Sequence, residues 1–139
     1  MAKAIKNIPL AQNLMGSMRS MGYNFESAVA DVVDNSISAG CSNVRICFPS
    51  DPLNIFVGIL DNGKGLSRED LFKAMRYGSE SSLSVRNLDD LGRFGLGLKS
   101  ASLSQCKKLT VVSKQGDSIS AFCWDFDYIA EKKDWLVLE

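Results

Sequence analysis

The fold of this chain is constrained most by a helical pattern of apolar residues that two strand patterns follow directly. From Asn24 onward, apolar residues recur at spacings of three and four, which is the period of an amphipathic helix. Asn24 is a suitable N-cap for this helix, and Gly40 ends it. Residues 44–48 and 55–60 are short apolar runs separated by a Pro-Ser-Asp-Pro turn. This order predicts a helix packed on a β-hairpin.

The chain beyond this hairpin alternates between short elements and polar loops. The stretch from Tyr77 to Asp90 is rich in serine and charge, lacks apolar periodicity and is predicted to be a mobile loop. The elements predicted around it are a helix at 68–75, a helix at 97–104 entered through glycines, and strands at 109–113 and 119–124 around a turn at 114–117. The chain ends on the largely apolar WLVLE, whereas natural domains usually end in polar sequence. We therefore expect one domain over residues 1–139 that is incomplete at its C-terminus.

The composition fits one domain and argues against a nucleic-acid or lipid partner. With 139 residues, of which 45% are apolar, the chain is long enough to bury one core. Its 16 basic and 16 acidic residues cancel, so it lacks the net field that would attract it to nucleic acid or to an anionic membrane. We therefore expect this chain not to bind nucleic acid directly.

The sequence predicts neither a membrane span nor a secretion signal. No apolar run approaches the roughly 20 residues that a membrane helix requires, and Lys3, Lys6 and Arg19 interrupt the N-terminal segment. The four cysteines form no CxxC pair, and because the chain has no histidine, a zinc site would need all four of them. Buried, reduced thiols and a cytoplasmic location are the expectation.

The polar side of the predicted helix carries the first set of residues that could perform chemistry. It comprises Ser27, Asp31, Asp34, Asn35 and Ser38. Asp31 and Asn35 are four residues apart and therefore share a face. Their carboxylate and amide oxygens could serve a magnesium ion and a water molecule, with the carboxylate acting as a base. Taken alone, the pattern is more typical of the solvated face of an ordinary surface helix.

The second set is the sequence DNGKG, which follows the second predicted strand directly. Asp61 could accept a hydrogen bond from an exocyclic amine of a ligand, and Gly63 and Gly65 would let a flat ring approach the backbone closely. Asp-Asn-Gly at the end of a strand is also an ordinary turn, because glycine tolerates the positive φ that turns require. In isolation, this motif does not distinguish a binding site from a turn.

The third set is the sequence GRFGLGLKS at residues 92–100. Three glycines that open a helix expose backbone amides at its positive end, where phosphates bind without a cationic side chain. The dinucleotide fingerprint is GxGxxG after a strand, whereas this segment is GxxGxG after a polar loop. A Walker A loop has lysine directly after its last glycine, whereas Leu98 intervenes here. Neither standard nucleotide motif fits this segment.

The order of these three sets resembles the GHKL superfamily, which includes DNA gyrase, heat-shock chaperone ATPases, sensor histidine kinases, MutL and MORC proteins. The first set, within GYNFESAVADVVDNSISAG, looks like the MutL and MORC form of the family's first motif. The third set, within GRFGLGLKSAS, looks like the chaperone and MORC form of the last motif. The resemblance extends from about Asn13 to Ser113, and three motifs in the family's order make it specific.

The resemblance implies a fold and a set of nucleotide contacts. The fold would be the Bergerat ATP-binding fold, an α/β (α+β) two-layer sandwich with helices over one face of a mixed, mainly antiparallel sheet. Asn35 would bind the magnesium ion of ATP, Asp61 would bind the adenine amino group, and Gly65 would lie beneath the ring. The nucleotide-binding residues implied are Asn35, Asp61, Gly63, Gly65, Gly92, Arg93, Phe94, Gly95, Leu96, Gly97 and Lys99.

The resemblance also implies moving parts and partners. Residues 67–91 would form a lid that closes over ATP. Lys99 would add a positive charge near the phosphates, although a solvent-facing lysine satisfies the sequence equally well. The partners implied are a second copy of the chain, in an ATP-dependent homodimer, and a downstream transducer domain that supplies a lysine toward the γ-phosphate.

Two positions on the first motif depart from the family pattern. The family generally places glutamate where this chain has Asp31, to activate the attacking water, and MutL relatives usually place aspartate where this chain has Ser38. Aspartate is shorter by one methylene, about 1.5 Å, and a displacement of about 1 Å can lower a rate roughly a hundredfold. We therefore expect slow hydrolysis with Asp31 as the catalytic base. The alternatives are a nucleotide-binding switch that scarcely hydrolyses ATP and the catalytic domain of a histidine kinase.

Overall fold

The computed structural model describes residues 5, 9–20, 22, 24–53, 55–76 and 97–139. Its elements in chain order are α1 (Ala11–Arg19), α2 (Phe25–Ser38), β1 (Val44–Cys47), β2 (Gly58–Asp61), α3 (Arg68–Met75), α4 (Gly97–Gln105), β3 (Lys108–Gln115), β4 (Ser118–Asp125) and α5 (Phe126–Lys132). Every helix and strand predicted from the sequence is present, with its boundaries shifted by at most three residues. Helices α1 and α5 were not predicted, and the predicted loop at 77–90 lies outside the described residues.

Helix α2 begins and ends where the sequence predicts. Asn24 is its N-cap, and the side-chain oxygen of Asn24 accepts a hydrogen bond of 2.8 Å from the Ser27 amide. Gly40 follows the helix with a φ of +71°, a conformation that glycine adopts without steric cost. The predicted cap and the predicted end of α2 are therefore confirmed.

The buried side of α2 differs from the predicted apolar stripe. The buried residues of this helix are Ala28 and Ser36, whereas Phe25 and Ile37 are 41% and 51% exposed. Helix α2 packs against α4 and also contacts β2. A small polar residue, Ser36, is therefore turned into the protein beside β2.

Strands β1 and β2 form a short antiparallel hairpin in which Val44 lies opposite Asp61. β2 begins three residues later than predicted, and Ile55, which was expected inside it, is 92% exposed. The ladder stops at Cys47, shortly before Pro49, and proline has no amide hydrogen to extend it. At the opposite end of the ladder, where Val44 pairs with it, Asp61 is the last residue of β2.

Strands β3 and β4 form a longer antiparallel hairpin in which Lys108 lies opposite Asp125. Gly116 occupies its turn with a φ of +58°. After α5, Leu138 exchanges two backbone hydrogen bonds of 2.8 and 2.9 Å with Cys123, so the chain returns alongside β4. Among the described residues, no ladder joins this hairpin to the first.

The hydrophobic core surrounds the second hairpin and depends on the two helices that were not predicted. Helix α1 packs against α4 and α5, and α3 packs against β4. The buried core side chains are Ala11, Met15, Leu71, Met75, Leu103, Phe122, Trp124 and Ile129. Five helices with antiparallel strands agree with the predicted α/β fold. In the part of the chain that the structure describes, the strands form two antiparallel hairpins.

Two expectations drawn from composition can be compared with the structure. None of the helices in the described ranges is long and apolar enough to cross a membrane. The four cysteines are free but half-buried, so the prediction that they are fully buried is wrong. Partial burial raises the pKa of the Cys106 thiol above its ordinary value, which favours the protonated form.

Candidate nucleotide-binding site

The carboxylate of Asp61 is held at the end of β2 by two hydrogen bonds. Ser36 Oγ on α2 donates to Asp61 Oδ2 at 2.8 Å, and the Gly63 amide donates to Asp61 Oδ1 at 2.8 Å. Ser36 is 4% exposed, whereas Asp61 is exposed. A carboxylate oxygen can accept more than one hydrogen bond, so the group can still bind another donor. Asp61 is therefore an oriented acceptor, as recognition of an amino group requires.

Asn62 ties the DNGKG loop to the start of β1. Its Oδ1 accepts hydrogen bonds from the amides of Ser42 and Asn43, both at 2.9 Å. Its Nδ2 donates to Ser42 Oγ at 2.9 Å. The side chain of Asn62 is thus used for local structure, and the position of Asp61, next to it in the chain, is fixed by these bonds.

The two glycines of the loop pack closely against the protein itself. A Cβ at Gly63 would lie 2.8 Å from the Cβ of Ala39. Gly65 has a φ of +67°, and a Cβ at this position would overlap the carbonyl oxygen of Lys114. These contacts give a reason for glycine that differs from the approach of a flat ring. Contact between these glycines and a nucleotide stays a prediction.

The DNGKG loop connects the first hairpin to α2 and to the second hairpin. The Lys64 amide donates to the carbonyl oxygen of Ala39, at the end of α2, at 3.1 Å. The Leu66 amide donates to Ser113 Oγ on β3 at 2.7 Å. Gly65 lies between these two bonds in the chain. The loop therefore sets the position of Asp61 relative to α2 and β3 together.

Asn35 and Asp31 lie on the same helix as the serine that binds Asp61. Asn35 is exposed and Asp31 is half-buried. Asn35 Nδ2 donates to the carbonyl oxygen of Asp31 at 3.0 Å, so the amide oxygen of Asn35 is the atom available to a metal ion. The hydrogen bond of Ser36 to Asp61 brings the first and second motifs together.

Ser36 is not among the site residues that the sequence predicts. A serine on the inward side of an amphipathic helix is the signal that could have indicated it, because a buried hydroxyl requires a hydrogen-bond partner. Such a signal would not have identified the partner, because Asp61 lies 25 residues further along the chain.

The residues present suit a magnesium ion that is held mainly by a nucleotide. Within the described ranges, no group of three or more His, Cys, Asp or Glu side chains is arranged to hold a metal ion. Magnesium is usually bound through one or two protein oxygens together with phosphates and waters. The amide oxygen of Asn35 and the carboxylate of Asp31 are ligands of this type, so they fit such an ion.

Lys99 is buried, so the alternative of a solvent-facing lysine is wrong. Its side chain lies within the fold at 1% exposure. Lys99 Nζ donates to the carbonyl oxygens of Ala74 and Arg76, both at 2.7 Å. The amino group therefore binds the end of α3. A direct contact between Lys99 and phosphates stays a prediction that this geometry does not favour.

The third motif is described from Gly97 onward. Helix α4 starts at Gly97, so the backbone amides of its first turn lie at the positive end of a helix. Anions are stabilised at such a helix start. The predicted residues that lie outside the described ranges are Gly92, Arg93, Phe94, Gly95 and Leu96.

The first part of the predicted lid is a helix fixed in the core. Ser67 caps α3 by accepting a hydrogen bond of 3.1 Å from the Asp70 amide. Leu71 and Met75 are 0% and 1% exposed. Exposing such side chains costs about 1.5–3 kcal/mol each, which opposes movement of α3 as a lid. Residues 77–91 of the predicted lid lie outside the described residues.

Two hollows in the described structure differ in their relation to the predicted site. One of about 170 Å³ borders Asp61 and Asn62. Binding pockets for small molecules typically measure about 300–1,000 Å³, so this hollow is smaller than a typical binding pocket. A larger hollow of about 440 Å³ lies beside Trp124 and Trp135 and contains none of the predicted site residues.

The family follows from a comparison of sequences. A family model described as "Histidine kinase-, DNA gyrase B-, and HSP90-like ATPase" matches residues 23–139. The chain belongs to this ATPase family. The predicted GHKL membership is thereby confirmed, and ATP binding and hydrolysis are general properties of GHKL ATPases.

Similar proteins include the three kinds of relative that the motifs indicated. ATPase morc-1 of Caenorhabditis elegans is 32% identical over 95 residues, which cover 68% of this chain and 11% of that protein. DNA mismatch repair protein MutL of Shewanella sediminis is 34% identical over 98 residues, which cover 69% of this chain and 16% of that protein. Chaperone protein HtpG of Rickettsia canadensis is 31% identical over 108 residues, which cover 70% of this chain and 17% of that protein. The chain thus spans less than a fifth of the length of each of these relatives.

Proposed function

We propose that this domain binds ATP with magnesium and hydrolyses it slowly, and that ATP binding closes a lid and drives a conformational or dimerisation switch. The observation that carries the proposal is the carboxylate of Asp61, which Ser36 and the Gly63 amide orient beside α2. Membership of a GHKL ATPase family over residues 23–139 supports ATP as the ligand.

Asp61 would recognise adenine through the exocyclic amino group. The carboxylate is an acceptor, and its two internal hydrogen bonds prevent it from turning away. Guanine carries a carbonyl oxygen where adenine carries this amino group, and two acceptors placed against each other repel. The site would therefore prefer ATP to GTP, since an unpaired polar group at a binding site costs about 1–3 kcal/mol.

The polar side of α2 would serve the magnesium ion and the attacking water. Asn35 would bind the ion through its amide oxygen, because Nδ2 is already used within the helix. Asp31 would accept a proton from the water as the general base. The backbone amides at the start of α4, with Gly92 and Gly95 before it, would bind the phosphates.

An Asp61→Asn substitution tests the adenine contact. Asparagine keeps one acceptor oxygen but introduces donor hydrogens, so we expect MgATP affinity to fall by about ten- to a hundredfold. Titration calorimetry with and without magnesium measures this change. Asp51→Asn is the matched control, because Asp51 Oδ1 also accepts a hydrogen bond from the amide two residues later, at 2.9 Å, and should leave affinity unchanged. The proposal fails if the unaltered protein shows no magnesium-dependent ATP binding.

A second function, a nucleotide-binding switch that scarcely hydrolyses ATP, is favoured by the short side chain of Asp31. Replacing Asp31 by glutamate would extend the carboxylate by about 1.5 Å toward the water, so turnover should rise about tenfold or more if reach is limiting. Steady-state phosphate release measures the change, with Asp34→Glu on the same helix as the control. Unchanged turnover in Asp31→Glu would remove the motivation for the switch.

The remaining parts of the proposal concern movement and partners. The lid over residues 67–91 would close over bound ATP while its α3 part stays held in the core. ATP would promote a homodimer, and a downstream transducer domain would respond to closure in a cytoplasmic protein. Sedimentation with and without a non-hydrolysable ATP analogue tests the dimer, and an unchanged sedimentation coefficient would count against it.

A further inference from the structure

Three successive carbonyl groups at the end of α3 are capped by side chains from other elements. Lys99 Nζ donates to the carbonyl oxygens of Ala74 and Arg76, both at 2.7 Å. Trp124 Nε1 donates to the carbonyl oxygen of Met75, between them, at 2.8 Å. The last four carbonyls of a helix lack partners within it and are often capped by residues that follow directly. Here the caps come from 23 to 49 residues away.

The two capping side chains come from different parts of the fold. Trp124 belongs to β4 and to the hydrophobic core. Lys99 belongs to the first turn of α4, two residues after Gly97. The Lys99 side chain therefore connects the start of α4 with the end of α3.

The electrostatics of α3 favours a cation at this point. The end of a helix carries partial negative charge, so an amino group that binds its last carbonyls is stabilised. Lysine is almost never fully buried unless it has partners, because removing its charge from water is costly. Lys99 is nevertheless 1% exposed. Directional hydrogen bonds from this buried group fix the geometry between the two helices, which apolar packing alone would leave looser.

We propose that Lys99 is a positioning residue for the triphosphate. By binding the carbonyls of Ala74 and Arg76, it fixes the orientation of the first turn of α4, so that the amides of this turn point toward the phosphates. Lys99 acts through α4 and does not touch the nucleotide. The inference rests on the proposed function, in which the start of α4 binds ATP.

The test compares MgATP with adenosine, because only ATP carries phosphates. In Lys99→Met, affinity for MgATP should fall about tenfold or more, because small displacements of binding groups have large effects. Affinity for adenosine depends on the Asp61 end of the site and should change less than about twofold. Lys99→Arg retains the positive charge and should restore most of the preference for ATP. Calorimetry and NMR titration supply the two affinities.

Trp124→Phe is the matched control, since it removes a hydrogen bond to the same helix end without altering α4. It should lower the temperature of unfolding and leave the ratio of the two affinities unchanged. If Lys99→Met does not fold, Lys99→Gln keeps a donor without the charge and should show the same loss of preference. The inference is overturned if the Lys99 variants keep the wild-type ratio, or if Trp124→Phe changes the ratio equally.

Hydrogen exchange separates positioning from a direct phosphate contact. Without nucleotide, Lys99→Met should speed exchange throughout α4, whereas loss of a phosphate contact alone would not. In the unaltered protein, MgATP should slow exchange at the end of α3 as well as in α4, and protection confined to α4 would overturn the inference. If the unaltered protein binds no MgATP, the proposed function itself fails, which distinguishes the two outcomes.

Discussion

Each of the two hairpins ends its second strand on an aspartate, and the two carboxylates have different partners. Asp125 Oδ2 lies 2.7 Å from Nζ of Lys108, the residue opposite it in the ladder, and Oδ1 accepts hydrogen bonds from two backbone amides at the start of α5. Asp61 lies opposite Val44, and its hydrogen-bond donors among the described residues are a serine hydroxyl and one backbone amide. Among the described residues, no basic side chain forms an ion pair with Asp61.

This difference separates a structural carboxylate from one that can recognise a ligand. The charge of Asp125 is balanced by Lys108 and by the positive end of a helix. The carboxylate of Asp61 is oriented by neutral donors, so its oxygens can still accept a hydrogen bond from a ligand. The comparison supports a structural role for the second hairpin and agrees with the binding role proposed for the first.

The aromatic side chains of the second hairpin are more deeply buried than the large apolar side chains of the first. Phe122 and Trp124 of the second hairpin are 2% and 5% exposed. Phe48 and Leu53, at the connection of the first hairpin, are 62% and 93% exposed. Elements with few buried apolar contacts open at lower free energy than core elements. The proposed ligand contact at Asp61 is thus carried by the less stable part of the fold.

The largest expected effect comes from removing one phenylalanine from each hairpin. Phe122→Ala should lower the free energy of unfolding by about 3–5 kcal/mol, because it removes a buried ring and leaves a cavity. Phe48→Ala should lower it by about 1 kcal/mol or less, because that ring is largely exposed. Urea denaturation measures both values. Equal losses would contradict the assignment of the core to the second hairpin.

The next effect concerns the loop that joins the hairpins. Gly65→Ala should destabilise the fold by about 3 kcal/mol or more, since it adds a clash with the Lys114 carbonyl to the strain of a positive φ. Gly116→Ala is the matched control with a φ of +58° but no atom near the added Cβ, and should cost about 1–2 kcal/mol. Denaturant midpoints of the two variants provide the measurement. A Gly65→Ala variant as stable as Gly116→Ala would show that the hairpins are not in contact there.

The smallest expected effect is a dependence of folding stability on pH that is caused by the Asp125 carboxyl. The hydrogen bond from Lys108 holds the pKa of the Asp125 carboxyl below its ordinary value, and the amides of α5 assist, while partial burial opposes them. A carboxyl whose pKa is lower in the folded state stabilises the fold fully above its unfolded pKa of about 3.9. This contribution is lost as the pH falls through the lower, folded pKa. Stability should therefore decline in acid more steeply for the unaltered protein than for Asp125→Asn.

The Asp125→Asn comparison is made by measuring the free energy of unfolding as a function of pH. Asparagine still caps α5, so the difference between the two proteins reports the ion pair rather than the cap. The difference should be constant near neutral pH and shrink in acid. A difference that persists unchanged at the lowest pH would show that Asp125 does not act through its charge.

Local patterns predicted the elements that carry the motifs. The start of α2 at Asn24, the position of α3 and the start of α4 at Gly97 all follow from caps, spacing and glycines near in sequence. The DNGKG loop was also located correctly at the end of a strand. Helices α1 and α5 were both missed, and α5 follows β4 without an intervening loop.

The partners of individual side chains could not be predicted in the same way. Ser36 was passed over, although its hydroxyl orients Asp61. Lys99 was expected near phosphates or in solvent, whereas its amino group binds the end of α3. Each of these bonds joins residues at least 23 positions apart, so no local pattern contains both ends.

The sequence by itself determined the family, the order of the motifs and the type of most elements, because these depend on residues close together in the chain. The tertiary structure alone decided that Gly65 packs against Lys114, that Asp61 is oriented by Ser36, and that Lys99 joins α4 to α3. Hydrogen bonds and close packing depend on distances in space, and those distances are set only when separate elements have packed together.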